Sequence, residues 1–200
     1  AAAVDELRRR KHRIDKPFAL MMADMVQVRA YCAVNDAESA LLTSTAAPIV
    51  LLYPHAAPPD SLPSIVSQVA PRQNTLGAML PYTPLHVLLF DEGLPPLVMT
   101  SGNHSEEPIV TDNDAARALL APLVDGYLMH NRAIHIRTDD SVMRVFQGVE
   151  LPLRRSRGYV PFPVRLPFDV PPILAVGGEM KNTFCLTRDR YAFMSHHIGE

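Results

Sequence analysis

The chain has 200 residues, 48% of them hydrophobic and 20% charged, with a formal net charge of −2. That composition belongs to an ordinary globular chain, long enough for one full domain or one plus part of another, and the near-neutral charge argues against a chain-wide nucleic-acid surface while leaving room for a local basic patch. No apolar run approaches the roughly 20 residues needed to cross a bilayer, and Cys32 and Cys185 have neither disulfide nor metal spacing, which fits a reducing cytoplasm.

Residues 1–13 read as the end of a helix, rich in Ala, Leu and Arg. Lys16-Pro17 breaks it, and Phe18-Ala19-Leu20-Met21-Met22 reads as a buried strand. Asp24 caps a helix through Cys32, and residues 37–42 make a further short helix. Pro48-Ile49-Val50-Leu51-Leu52-Tyr53 and residues 75–80 are strands, and Thr83 is the N-cap of a helix over 84–90. Residues 97–100 form a strand, and Thr111-Asp112-Asn113-Asp114 resembles a capping box opening a helix through Leu120. Tyr127-Leu128-Met129-His130 and residues 142–146 are further strands. Near Pro171-Pro172 the texture changes. Ile173 to Gly178 reads as a strand into a glycine turn, and residues 184–187 and 191–194 as a hairpin with Arg188-Asp189-Arg190 at its tip.

Strand and helix signals alternate, which gives an α/β sheet with a domain boundary near residue 170. The 19 prolines cluster in 54–84 and 152–172, where the aliphatic runs between them predict rigid loops rather than disorder. The chain starts at Ala1 rather than Met and stops at Glu200 without a tail, so a fragment cut at both ends is expected.

Three elements carry candidate chemistry. The strand ending at Met99 delivers Thr100-Ser101-Gly102-Asn103-His104-Ser105, a small polar loop where open α/β sheets keep their ligands. The cluster Arg8-Arg9-Arg10-Lys11-His12-Arg13, with Lys16 close behind, supplies the charge a polyphosphate needs. Arg137-Thr138-Asp139-Asp140-Ser141 and Arg154-Arg155-Ser156-Arg157-Gly158-Tyr159 form a third cationic element. Convergence on one polyanion pocket competes with blander readings: a solvated helix face, a polar turn, and salt bridges from the arginines to Asp139 and Asp140. Glu106-Glu107-Pro108 suits a phosphate pocket only if Mg²⁺ bridges the charges. His196-His197 lacks further metal ligands, and both cysteines read as buried or strand residues. Without a Walker A loop, ATP would have to bind by other means.

Lys11-His12-Arg13 with Lys16-Pro17-Phe18, then Thr100-Ser101-Gly102-Asn103, then Asp139-Asp140-Ser141-Val142, resemble the YrdC-like fold, whose enzymes make threonylcarbamoyl-adenylate. The fuller wording is closer still to the HypF carbamoyltransferases of nickel–iron hydrogenase maturation: residues 7–13 and 100–109, Arg154-Arg155-Ser156-Arg157-Gly158-Tyr159-Val160-Pro161, and residues 175–184. The resemblance implies an α/β, twisted, open mixed sheet flanked by helices over residues 1–168, its N-terminal part missing. The first strands of an actin-like carbamoyltransferase domain would follow over 169–200, with Gly177 to Asn182 as its phosphate-handling loop. It also implies ATP and Mg²⁺ as cofactors, and zinc only in the absent part of the parent protein.

The implied chemistry is adenylation of carbamate derived from carbamoyl phosphate, followed by transfer to the C-terminal cysteine of a HypE-type acceptor, where it becomes a cyanide ligand. Lys11, Arg13 and Ser101 would be catalytic, and Lys11, Arg13, Lys16, Thr100, Ser101, Asn103, Ser141, Arg155 and Arg157 would hold the nucleotide. No membrane is implied, and metal-binding histidines of the second domain would lie beyond residue 200, so the fragment alone is expected not to complete transfer. Two alternatives remain at this stage. One is a threonylcarbamoyl-adenylate synthase of tRNA modification. The other is a weak double-stranded RNA-binding module, which the net charge of −2 disfavours.

Overall fold

The computed structural model describes residues 2–55, 66–91, 93–105, 107–178 and 182–198. The expectations for Glu106, for Glu179 to Lys181 and for the 56–65 part of the first proline-rich loop lie outside the described residues. The chain divides into two compact units, Ala1–Thr100 with Ser141–Arg154, and Ser101–Asp140 with Arg155–Glu200. Neither is one continuous stretch of chain.

The first unit begins with α1 (Ala2–Arg10), β1 (Ala19–Met21), α2 (Met25–Tyr31), β2 (Cys32–Ala33) and α3 (Asp36–Leu42). It continues through β3 (Ile49–Pro54), α4 (Val66–Val69), β4 (Leu76–Met79), α5 (Pro84–Phe90) and β5 (Leu97–Met99), and closes with the hairpin β6 (Val142–Phe146) and β7 (Val149–Arg154). Local side chains set the helix starts. Asp24 accepts the Gln27 N–H at 2.8 Å, and Thr83 Oγ1 accepts the His86 N–H at 3.2 Å with Pro84 in the first turn. Asn35 and Glu38 form a reciprocal capping box, each side chain accepting the other's N–H at 2.9 Å. Asn35→Ala should therefore lower stability by about 1–2 kcal/mol, read as a shift of the urea unfolding midpoint.

The sheet of this unit runs β5-β1-β4-β3-β6-β7, with β2 pairing β3. β1 is parallel to β4 and β3 to β6, while the other pairs are antiparallel. The aliphatic runs seen in the sequence become its core: Phe18, Leu20, Met21, Met22, Val50, Leu52, Leu76 and Met79 are all at most 2% exposed. Apolar burial on this scale is the main favourable term holding the unit together. Cys32 is part of that core, and burial, reinforced by the charge of Glu38, pushes its thiol up to about 12. It is a packed hydrophobe, not a nucleophile.

The second unit holds α6 (Asn113–Leu119) and a sheet in which β10 (Phe184–Met194) lies between β8 (Val164–Val170) and β9 (Leu174–Val176). Four expectations are corrected here. The cap of α6 is Asp112, which accepts the N–H groups of Asp114 and Ala115, so Thr111 does not open a capping box. Residues 127–130 are not a strand. Leu128 is 67% exposed, and the Tyr127 hydroxyl donates to the Arg117 carbonyl, so the segment lies along α6 rather than in a ladder.

The second proline-rich stretch is not a rigid loop throughout. It contains part of β7, with Pro152, and the whole of β8, with Pro167. Both are edge strands, where a missing N–H faces no partner. Lastly, residues 184–194 are one strand and not a hairpin. Its first part pairs β9, its second part pairs β8, and a register shift beside Asp189, at φ 53°, absorbs the residues read as a tip.

Candidate nucleotide site

The site starts from the way α1 ends. His12 takes a left-handed conformation at φ 50°. Its N–H reaches the Arg9 carbonyl at 3.3 Å, and the Arg13 N–H reaches back to the Arg8 carbonyl at 2.9 Å. This pair of bonds is a Schellman motif, with His12 as the residue just past the cap. The reversal sends Lys11 and Arg13, two residues apart, to the same target. Lys11 Nζ donates to Thr100 Oγ1 at 3.3 Å and Arg13 Nη1 donates to the same oxygen at 3.2 Å. Thr100 stands immediately after β5, next to β1 in the sheet.

This fork is electrostatically loaded. Lys11 is 4% exposed, and burial, then the nearby charges of Arg13 and Lys16, push its amine down to about 8. Arg13 is pushed down to about 10 by burial first and then by Arg8 and Arg154. Desolvated cations that repel one another are stabilised by an anion brought among them. The Arg13 guanidinium also lies over the Phe18 ring at 4.5 Å and donates to the carbonyls of Lys16 and Pro17, which fixes its plane. The Lys16 side chain itself is exposed, so in this structure its backbone is what supports the fork. Ser141 is fully buried at the start of β6, and its carbonyl accepts the Ile49 N–H at 2.8 Å.

The second unit carries the other predicted residues. Ser101 Oγ donates to Asn103 Oδ1 at 2.7 Å, and the Asn103 amide donates to the Glu107 carbonyl at 2.6 Å. Asn103, 6% exposed, is thus the internal brace of its loop. Arg157 is paired with Asp140, its Nε and Nη2 each 2.9 Å from Oδ1. Arg155 differs: its Nη2 holds the carbonyls of Tyr159 and Phe162, while Nη1 is buried with no hydrogen-bond partner among the described residues. A buried guanidinium donor without a partner is an invitation to a ligand oxygen. His197 Nδ1 sits 3.3 Å from Asp139 Oδ2. Among the described residues no group of three or more His, Cys, Asp or Glu side chains could hold a metal ion, and no helix is long and apolar enough to cross a membrane.

Lys11, Arg13 and Thr100, singled out separately in the sequence, are therefore brought together. Arg8 and Arg154 were not singled out as site residues, although both belonged to basic runs. What distinguishes them is long-range: Arg8 reaches carbonyls some 60 residues away, and Arg154 lies opposite Val142 in the β6–β7 ladder.

Comparison with known proteins agrees with this architecture. Residues 1–156 match the Sua5/YciO/YrdC family model, described as "Telomere recombination", and residues 169–200 match the HypF Kae1-like domain. The chain is 48% identical to carbamoyltransferase HypF of Rhodobacter capsulatus, covering 100% of this chain and 26% of that protein. It is 44% identical to HypF of Rhizobium leguminosarum bv. viciae, covering 98% and 26%. It thus spans about a quarter of the length of the curated relatives it matches.

Among solved structures, a full-length HypF in a phosphate- and nucleotide-bound form superposes with TM-score 0.88 at 50% identity, over 100% of this chain and 31% of that one. Sua5 of P. abyssi complexed with L-threonine superposes with TM-score 0.63 at 16% identity, over 78% of this chain and 44% of that one, a likeness of fold alone. The chain belongs to the Sua5/YciO/YrdC family and is a homologue of the HypF carbamoyltransferases along its whole length.

Proposed function

We propose that this chain carries the adenylation site of a HypF-type carbamoyltransferase. In the proposed reaction a carbamate oxygen, from carbamoyl phosphate, attacks the α-phosphorus of ATP. A new oxygen–phosphorus bond forms, the bond to the β-phosphate oxygen breaks, and carbamoyl-adenylate and pyrophosphate result. The carbamoyl group is destined for the C-terminal cysteine of a HypE-type acceptor in hydrogenase maturation, in the cytoplasm. The single observation that carries the reading is the pair of desolvated cations, Lys11 and Arg13, aimed at one hydroxyl, Thr100 Oγ1.

In the first unit, Lys11 and Arg13 take phosphate oxygens in place of Thr100 Oγ1 and hold the charge that develops on the departing pyrophosphate. Lys16 adds to that field, and Thr100 and Ser141 offer hydroxyls. In the second unit, Ser101, Asn103, Arg155 and Arg157 are assigned to the adenylate on the family resemblance. Of the two arginines, Arg155 has the unpartnered buried donor. Bound together with the nucleotide, Mg²⁺ supplies charge neutralisation across the phosphates, and no side chain is assigned to it. We place the boundary with the carbamoyltransferase domain at 168/169, inside β8.

The test is pyrophosphate release by the full-length protein. Release with ATP and carbamoyl phosphate, and none with ATP, threonine and bicarbonate, is the expected result. Dependence on threonine would instead make the protein a threonylcarbamoyl-adenylate synthase and end the proposal.

A further inference from the structure

Arg8, in the basic run, has no place in the reaction as proposed. Arg8 sits in the last turn of α1, and its guanidinium is consumed by main-chain carbonyls. Nε donates to Gln68 at 2.8 Å and Nη2 to Val69 at 3.0 Å, both in α4. Nη1 donates to Arg13 at 3.0 Å and to Ile14 and Lys16, each at 3.2 Å. The same group lies 4.7 Å from the centre of the Phe18 ring, the ring that Arg13 also covers. Arg8 also closes the Schellman turn through its own carbonyl, which accepts the Arg13 N–H. Three parts of the first unit are thereby tied to one side chain: the end of α4, the 13–16 turn and the residue entering β1.

We propose that Arg8 is a positioning residue, a clamp that sets the 11–16 turn so that Lys11 and Arg13 point at the same phosphate while Arg8 itself touches no ligand. The inference rests on the reading of Lys11 and Arg13 as phosphate-binding groups. Five carbonyls in three directions are reached from the three nitrogens of one planar guanidinium, with the two Nη1 hydrogens shared among three of them, and only arginine offers such a fork. A lysine at this position keeps the charge and the helix propensity but can satisfy at most three acceptors around a point. The turn would then lose its tie to α4, and the fork its aim. Misplacing a catalytic group by about 1 Å can cost ~100-fold, so the consequence is large although the residue is remote from the chemistry.

The experiment compares wild type with Arg8→Lys in the full-length protein by three readouts: amide hydrogen exchange of the 11–18 segment without nucleotide, ATP affinity by calorimetry, and melting temperature. Exchange in 11–18 should quicken while the β3 and β4 amides stay protected, and ATP affinity should fall about 10- to 100-fold. The pH at which ATP affinity declines should also move, from about 8 in wild type toward 10.5 in the variant, as Lys11 is released from its buried setting. Unchanged exchange in 11–18, or faster exchange spread over the whole first unit with a collapsed melting temperature, overturns the clamp. The exchange readout needs no nucleotide. Failure of wild type to bind ATP would therefore sink the adenylation proposal, while the clamp would still be judged on its own.

Discussion

Lys11→Met will abolish pyrophosphate release and, in the same molecule, raise the melting temperature near neutral pH. The loss follows from removing one of two cations offered to the phosphates, an interaction worth roughly 10²–10³ in rate where charge develops in a dry site. The gain follows from linkage. Burial and the charges of Arg13 and Lys16 hold the folded-state pKa of Lys11 at about 8, below its ordinary 10.5. A cation whose pKa is depressed on folding binds fewer protons in the native state, so stability rises with pH between those two values. Below about 8 the penalty is present in full, and methionine removes it while filling the space with an apolar chain. Thr100 Oγ1 keeps its bond from Arg13. Each kcal/mol relieved should lift the melting temperature by roughly 2–4 °C. Thermal melts on both sides of the 8 to 10.5 window check the sign: wild type should gain stability across it and the variant should not. A variant that melts lower at every pH would show Lys11 to be a structural residue.

The largest purely structural effect is expected from Leu20→Ala. Leu20 is fully buried in the middle of β1, between Ala78 of β4 and Val98 of β5. Truncating a leucine in such a place costs about 2–5 kcal/mol through lost transfer energy and the cavity left behind. Domains of ordinary stability have about 5–15 kcal/mol in total, so this variant should lose a large part of its urea resistance. β1 also begins two residues after Pro17, whose carbonyl receives Arg13. ATP affinity should therefore weaken as the strand frays, but with the wild-type dependence on pH retained. That contrast separates it from Lys11→Met, in which the fold strengthens and the chemistry disappears.

What could be read in the sequence was what a few neighbouring residues decide. Asp24 and Thr83 announce their helices because a short polar side chain bonds an N–H within one turn. The strands around Leu20, Val50 and Leu76 are visible because full burial demands continuous apolar runs. The errors lie where a long-range partner overrides a local cue. Pro152 and Pro167 argue against strands unless the strand is known to be at an edge, and edge position is a property of the finished sheet. Arg188-Asp189-Arg190 resembles a turn, yet β9 pairs the first part of β10 and β8 the rest, with only a shift of register against β8 between Asp189 and Tyr191.

The site divides in the same way. Lys11 and Arg13 stand out by type and spacing, and the left-handed His12 between them explains why that spacing works. Asn103 and Arg157 were singled out by type as well. The one turns out to brace its own loop and the other is paired with Asp140, commitments that composition cannot reveal.

The strand β10 has a bearing on how such proteins can be taken apart. It belongs wholly to the segment matched by the second family model, yet half of its pairing is with β8, which straddles residue 169 where that match begins. A gene cut at that point would leave one fragment ending in a severed ribbon and the other with an unclaimed row of amides. Recombination here is therefore penalised by the backbone itself. Anyone wishing to exchange the two modules should move the seam upstream of Val164, so that the three strands travel as one piece.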